Sequence, residues 1–232
     1  MPRNVIEELA YRDRDFVFKD RLHAGRLLAE KLRPLLADGD VRLLAVPAGG
    51  VAVGYAVSQK LKIPLDVAVV RKIQIPWDTE AGFGAVTWDE RVLLNDLLVA
   101  QLGLRTEAIE QCISRTRELV RQRVRTYRGN RPPPDLNAKT AILIDDGLAS
   151  GFTMLAAVES IRTQRPLEIV VAVPTASAGA IELLAPKVEK LVCLNVRRGP
   201  IFAVADAYEK WYDLSDDEVL EFLRRKETAG GP

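Results

Sequence analysis

Hydrophobic residues along the chain alternate between short continuous runs and longer segments with helical spacing. The continuous runs, each of strand length, are Val41–Val46, Pro64–Val70, Ala141–Ile144, Ile169–Val173 and Leu191–Val196. Helices are predicted over Gly49–Leu61, Thr106–Tyr127 and Ser177–Leu184. Three more are predicted to begin after the Asp20 cap, at Met154 and after the Ser215/Glu218 capping box. Strands separated by helices predict a parallel sheet with helices on both faces, which binds ligands beyond the carboxyl ends of its strands.

The end of the run Ala141–Ile144 carries the most informative pattern. Two adjacent carboxylates, Asp145 and Asp146, follow it, and then comes a loop of small and hydroxyl residues before a helix near Met154. Loop amides and hydroxyls at a helix N-terminus favour an anion such as phosphate. Carboxylates beside that loop suit sugar hydroxyls or Mg²⁺. The order predicts a sugar-phosphate site, and a solvated acidic turn before an ordinary helix cap is the alternative.

Residues 141–154 resemble the phosphoribosyl-pyrophosphate (PRPP) signature of the phosphoribosyltransferases, which has the same order of strand, acids and loop. The resemblance implies the type I phosphoribosyltransferase fold, an α/β fold with a central parallel sheet flanked by helices, in one domain over 1–232. It implies that Asp145 and Asp146 are catalytic residues, which hold the ribose hydroxyls and meet Mg²⁺ directly or through those hydroxyls or water. It also implies that the loop after the acids binds substrate, with the 5′-phosphate on Ala149 to Thr153. The residues of this loop are Gly147, Leu148, Ala149, Ser150, Gly151, Phe152 and Thr153.

Two other strand ends are expected at the same crevice. Ala48, Gly49 and Gly50 resemble the family's pyrophosphate loop, with Ala48 where close relatives often have arginine, so pyrophosphate would rest on backbone alone. Arg71 and Lys72 follow a buried run, and the resemblance places them near pyrophosphate with catalytic roles. The alternatives are an ordinary strand-to-helix turn and a solvated strand terminus.

The family's lid and hood are also assigned by resemblance. The lid is expected over 73–95, an irregular segment with a hairpin at its end and Trp77–Glu80 as candidate contacts. A structural hairpin that packs Trp77 and Trp88 at a subunit interface is the alternative. The hood is expected over 197–232, where the C-terminal sequence resembles a small bacterial and archaeal group of phosphoribosyltransferases. The candidate base platforms are Phe202, Tyr208 and Trp211, and an aromatic core cluster is the alternative.

The implied reaction transfers the 5-phosphoribosyl group from PRPP to a nitrogen acceptor and releases pyrophosphate. The family's 6-oxopurine enzymes carry an acidic residue where this chain has Ala149, so a different nucleobase is expected. The alternative is a non-catalytic PRPP- or nucleotide-binding regulator, with RNA contact through the arginines of the 106–127 helix. A dinucleotide oxidoreductase is disfavoured because no G-x-G-x-x-G follows the first strand.

Composition adds little to this picture. The 33 basic and 32 acidic residues nearly cancel, so bulk charge predicts neither a membrane partner nor nucleic acid. Cys112 and Cys193 lie far apart among apolar residues, which favours reduced thiols in the cytoplasm. Neither a signal peptide nor a membrane-spanning run is expected from the sequence. A homodimer is expected by the resemblance.

Overall fold

The computed structural model describes residues 2–36, 39–199 and 202–228, without the side chains of Thr79, Glu80 and residues 226–228. The described part therefore leaves out residues 200, 201 and 229–232 of the expected hood. It also leaves out the side-chain contacts expected of Thr79 and Glu80. The strands are β1 Val5–Glu7, β2 Val41–Ala45, β3 Leu65–Val67, β4 Val70–Ile75, β5 Asp78–Thr87, β6 Val92–Leu94, β7 Thr140–Ile144, β8 Glu168–Ser177 and β9 Lys190–Arg197. The helices are α1 Arg21–Leu32, α2 Gly49–Leu61, α3 Asp96–Leu102, α4 Thr106–Arg128, α5 Phe152–Arg162, α6 Ala178–Leu184 and α7 Asp216–Thr228.

Six strands form a parallel sheet in the order β1-β9-β8-β7-β2-β3. Successive strand residues point to opposite faces of the sheet. On one face, Leu43 and Ile142 pack in the core with α1 and α2. On the other, Leu44 and Leu143 pack in the core with α5 and α6. Burial on both faces explains why the strands are continuous apolar runs. The predicted parallel sheet with flanking helices is confirmed.

The other three strands form a separate antiparallel sheet, β4-β5-β6, and here two predictions are wrong. The run Pro64–Val70 is not one strand, because pairing with β2 ends at Val67 and Val70 begins β4 in the second sheet. The segment 73–95 is not irregular, since β5 extends over ten residues. Gly82 and Gly84 lie within β5, where an added Cβ would come within 2.9 Å of the Ile73 carbonyl oxygen and 2.7 Å of that of Leu93.

Several helix boundaries agree closely with the sequence predictions. Asp20 accepts a hydrogen bond from the amide of His23 at the start of α1, and Ser215 and Glu218 form the predicted capping box before α7. The stripe of α4 that includes Val120 and Tyr127 is buried in the core. Neither β1 nor α3 was predicted. Among the described residues, no helix combines the length and the apolar character needed to cross a bilayer.

Candidate active site

A cavity of about 520 Å³ opens beyond the carboxyl end of β7, between the β7–α5 loop and the hairpin of β4 and β5. Its described walls combine one carboxylate, one lysine, small residues and loop backbone. The lining residues are Lys72, Ala81, Gly82, Gly84, Asp145, Gly147, Leu148, Ala149, Ser150, Gly151, Phe152, Thr153, Met154 and Val204. The cavity thus contains the whole loop that the sequence marks for phosphate binding.

The β7–α5 loop is held in place by the end of β8. The amide of Leu148 donates to the carbonyl of Thr175 at 3.0 Å, and the amide of Ser177 donates to the carbonyl of Leu148 at 3.0 Å. The Ser177 hydroxyl also donates to the carbonyl of Ala149 at 2.6 Å. An added Cβ on Gly147 would come within 2.4 Å of Val204, so this position has no room for a side chain. The loop therefore has a fixed shape before any ligand binds.

The same loop presents backbone donors at the N-terminus of α5. Gly151 is the N-cap residue and has φ +75°, a conformation that favours glycine. Ala149 and Ser150 are exposed, and no acidic side chain lies in the first turn of α5. Within the described residues, the amides of Ser150, Gly151 and Thr153 donate no hydrogen bond. Unpaired amides at the positive end of a helix dipole form an anion site.

The two adjacent acids have different surroundings. Asp145 lines the cavity, and its Oδ1 accepts a hydrogen bond from the amide of Asp146 at 2.8 Å. Enclosure by protein and the neighbouring charge of Asp146 raise the pKa of Asp145 well above its usual range. Asp146 does not line the cavity, because its Oδ2 accepts from Nε of Arg21 at 2.8 Å. The structure thus brings only one of the paired carboxylates to the cavity wall.

The loop of Ala48, Gly49 and Gly50 packs directly against these acids. A Cβ added to Gly49 would come within 1.8 Å of Asp146 Oδ2. A Cβ added to Gly50 would come within 2.8 Å of the Ile144 carbonyl oxygen. Only glycine allows this close approach of the two loops. Ala48 is the N-cap of α2, and none of the three residues is among the cavity's described lining.

Arg71 and Lys72 lie on opposite faces of β4. Lys72 lines the cavity, whereas Arg71 is directed toward α4 and α7, near Arg123, Tyr127 and Asp216. Burial, with the nearby charge of Arg123, lowers the pKa of Arg71. Strand alternation separates the two cations, which the sequence analysis expected at one site.

The aromatic candidates for a base platform do not line the cavity. Tyr208 is buried, and its hydroxyl donates to the backbone carbonyl of Asp146 at 2.5 Å. Trp211 packs against Tyr208 with ring centroids 5.2 Å apart, and Phe202 lies 5.7 Å from the guanidinium of Arg197. Sequence analysis instead missed Val204, which lines the cavity two residues from Phe202. An isolated valine carries no chemical signal, so only the fold could reveal it.

No group of three or more His, Cys, Asp or Glu side chains that could hold a metal ion occurs among the described residues. Mg²⁺ is commonly bound by one or two carboxylates together with substrate phosphates. Asp145 at the cavity wall fits that mode. A magnesium ion that arrives with a phosphorylated substrate is thus compatible with the donors present.

Comparisons with known proteins agree with this geometry. Residues 19–196 match the family model described as "Phosphoribosyl transferase domain". The chain therefore belongs to the phosphoribosyltransferase family, and its sheet and flanking helices form the type I fold of that family.

The chain is similar to two curated relatives from Mycobacterium tuberculosis, strains H37Rv and CDC 1551, named "Putative phosphoribosyl transferase Rv0571c" and "Putative phosphoribosyl transferase MT0597". Each is 35% identical over 209 residues, covering 90% of this chain and 47% of the relative. The chain thus spans about half the length of these relatives. It is also similar to the crystal structure of TT1426 from Thermus thermophilus, with a TM-score of 0.73 and 35% identity over 90% of this chain and 98% of that chain.

Proposed function

We propose that this protein binds PRPP and transfers its 5-phosphoribosyl group to a nitrogen nucleophile, with release of pyrophosphate. The observation that carries the proposal is the shared cavity of Asp145, Lys72 and the unpaired amides at the start of α5. PRPP needs acceptors for its ribose hydroxyls and donors for its phosphates. Those three groups supply both kinds of contact within one cavity of about 520 Å³.

The proposed orientation of PRPP follows from the charges of the cavity wall. The 5′-phosphate binds the loop of residues 149–153, where the helix dipole of α5 favours an anion. The ribose hydroxyls donate to Asp145, which follows β7 directly. The pyrophosphate lies toward Lys72 on the opposite wall, since it is the only basic side chain among the described lining residues.

Transfer in this orientation breaks the C1′–O bond, and the bonding electron pair leaves with pyrophosphate. A nitrogen lone pair of the acceptor forms the new N–C1′ bond, and the acceptor nitrogen releases its proton to solvent or pyrophosphate. Negative charge on pyrophosphate grows as the bond breaks, so Lys72 stabilises the transition state more than the ground state. Bound Mg²⁺ supplies further charge neutralisation of the phosphates.

The acceptor class is proposed from the residues nearest the expected base. Ala149 is exposed in the loop and offers no carboxylate for a proton of a 6-oxopurine ring. Val204 adds an apolar contact at the cavity wall. The missing carboxylate supports a nucleobase other than hypoxanthine or guanine, whereas Val204 suits the face of any nucleobase.

A non-catalytic PRPP or nucleotide sensor is the second candidate, because Arg71 is directed away from the cavity and Ala48 has no charge to offer pyrophosphate. RNA binding through α4 has less support. Arg121 already pairs with Glu90, and Arg128 is buried beside Asp66.

Release of pyrophosphate from PRPP and Mg²⁺, followed against a panel of nucleobases, separates these candidates. The transferase proposal expects at least one base other than hypoxanthine or guanine to accelerate release above hydrolysis. Protein carrying Asp145→Asn serves as the blank. Tight PRPP binding without acceleration by any base would establish the sensor.

A further inference from the structure

Arg21 joins three separate parts of the chain at one buried guanidinium. It is the first residue of α1 and is only 6% exposed. Its Nε donates to Asp146 Oδ2 at 2.8 Å, and its Nη1 donates to the carbonyl of Tyr212 at 2.7 Å. The guanidinium carbon also lies 3.9 Å from the ring centroid of Trp211. Arg21 therefore connects α1, the PRPP signature and the segment before α7.

Stability alone is a poor explanation for this arrangement. Desolvation offsets much of the Coulomb gain of a buried ion pair, and an apolar replacement of the pair is often equally stable. Buried pairs are more useful for fixing geometry, because the planar arginine fork can direct separate donors at two partners, here Asp146 and the Tyr212 carbonyl. The question is then which geometry this pair fixes.

The pair fixes the second acid of the signature between two loops. Asp146 Oδ2 lies so close to Gly49 that an added Cβ would be 1.8 Å away, and the Tyr208 hydroxyl holds the carbonyl of Asp146 at 2.5 Å. Both the side chain and the backbone of Asp146 are thus held from outside the cavity. Asp145, one residue earlier, lines the cavity.

We propose that Arg21 is a positioning residue, which holds Asp146 against the glycine loop and leaves Asp145 as the acid that meets the ribose. This inference rests on the proposed function. It predicts that Arg21 affects PRPP binding only through Asp146.

A double-mutant cycle with calorimetric titration of PRPP and Mg²⁺ tests the inference. Arg21→Met should weaken PRPP binding by about ten-fold or more, as removal of residues that orient a ligand-binding group commonly does. In the Asp146→Ala background, the same change should cost less than about two-fold, because the group that Arg21 positions is absent. Asp146→Ala alone should weaken binding about as much as Arg21→Met.

The conservative variant gives a readout that a purely structural role would not change. Arg21→Lys keeps the positive charge and a donor for Asp146, so it should recover part of the PRPP affinity that Arg21→Met loses. Arg128→Met is the matched control, since Arg128 is also buried and paired, with Asp66 at 3.2 Å. Its PRPP affinity should match that of the wild type.

Each outcome decides between the proposals. Additive effects of the two substitutions, or complete loss of binding in Asp146→Ala, would overturn the positioning role while leaving PRPP binding by the wild type intact. No binding by the wild type would overturn the proposed function itself. If Arg21→Met does not fold, Arg21→Lys replaces it, because lysine keeps the charge without the arginine fork. Its smaller loss of PRPP affinity must also disappear in the Asp146→Ala background.

Discussion

The two walls of the cavity are built in different ways. On one side, β7 lies inside the parallel sheet, with Ala141–Ile144 fully buried, and the loop that follows is bonded to β8. On the other side, β4 and β5 form a hairpin whose register shifts twice after Ile73, and Trp77 at its tip is 67% exposed. One wall is thus fixed by the core along its length, whereas the other is packed in the core at its base and ends in an exposed tip.

This difference suggests a division of labour between the walls. Segments with few buried contacts open at low free-energy cost, whereas strands of a central sheet open only with global unfolding. The fixed wall therefore suits recognition of the sugar phosphate. Under the proposed function, the exposed tip of the hairpin suits closure over PRPP, which would exclude water during transfer. The base of the hairpin is excluded from such movement because Ile73 and Phe83 are fully buried.

Asp145→Asn should give the largest effect on the fixed wall. An ionised carboxylate can accept hydrogen bonds from two ribose hydroxyls, and loss of charged acceptors of this kind weakens binding by about 1,000-fold. Calorimetric titration with PRPP and Mg²⁺ measures this loss of affinity. The exposed acid Asp135 offers a control, since Asp135→Asn should bind as the wild type does. Equal affinities for all three proteins would place the ribose elsewhere.

Lys72→Ala tests the opposite wall. If Lys72 stabilises the leaving pyrophosphate, the substitution should lower turnover by about 100-fold while changing PRPP affinity by only a few-fold. Turnover is followed by pyrophosphate release with the base that the panel identifies. Lys60→Ala, at a surface pair on α2, is the control. A parallel loss of affinity and turnover would assign Lys72 to ground-state binding.

Hydrogen exchange compares the two walls directly. In the free protein, amides of β7 should exchange slowly, and the amides of Trp77 and Asp78 at the hairpin tip should exchange fast, because the tip is exposed. PRPP with Mg²⁺ should slow the tip amides as the hairpin closes. A tip that is already protected without ligand would support the purely structural hairpin that the sequence left as an alternative.

The smallest expected effect concerns stability. Burial and Asp146 raise the pKa of Asp145 in the folded state, so the native protein binds the proton more tightly than the unfolded chain. Above that raised pKa the ionised Asp145 is destabilising, and there Asp145→Asn should unfold at a slightly higher temperature than the wild type. That advantage should shrink as the pH falls through the raised pKa, because the wild-type carboxyl becomes neutral too. A difference in unfolding temperature that does not change with pH would rule out the buried charge of Asp145 as its cause.

The sequence was most informative where local pattern and fold agree. Strands buried on both faces leave continuous apolar runs, so β7 and its loop could be placed from the sequence alone. The glycines of β5 were misleading because they allow close packing inside the second sheet, whereas the sequence analysis placed them in an irregular segment. The break between Val67 and Val70 was hidden because both sheets bury that apolar run.

Side-chain direction was the main information missing at the site. Arg71 and Lys72 are adjacent in sequence, and only strand pairing shows that one faces the cavity and the other faces α4. Asp145 and Asp146 differ for a similar reason, since Arg21 lies 125 positions from Asp146 in the chain. Nothing in the local sequence indicates so distant a partner.

A crystal structure of the protein with PRPP and Mg²⁺ tests the central claim most directly. It should show the 5′-phosphate within hydrogen-bonding distance of the backbone amides at 149–153, the ribose hydroxyls on Asp145 and the pyrophosphate toward Lys72. The account would be contradicted by a 5′-phosphate bound away from the β7–α5 loop. It would also be contradicted by PRPP at another site, with no ligand at that loop.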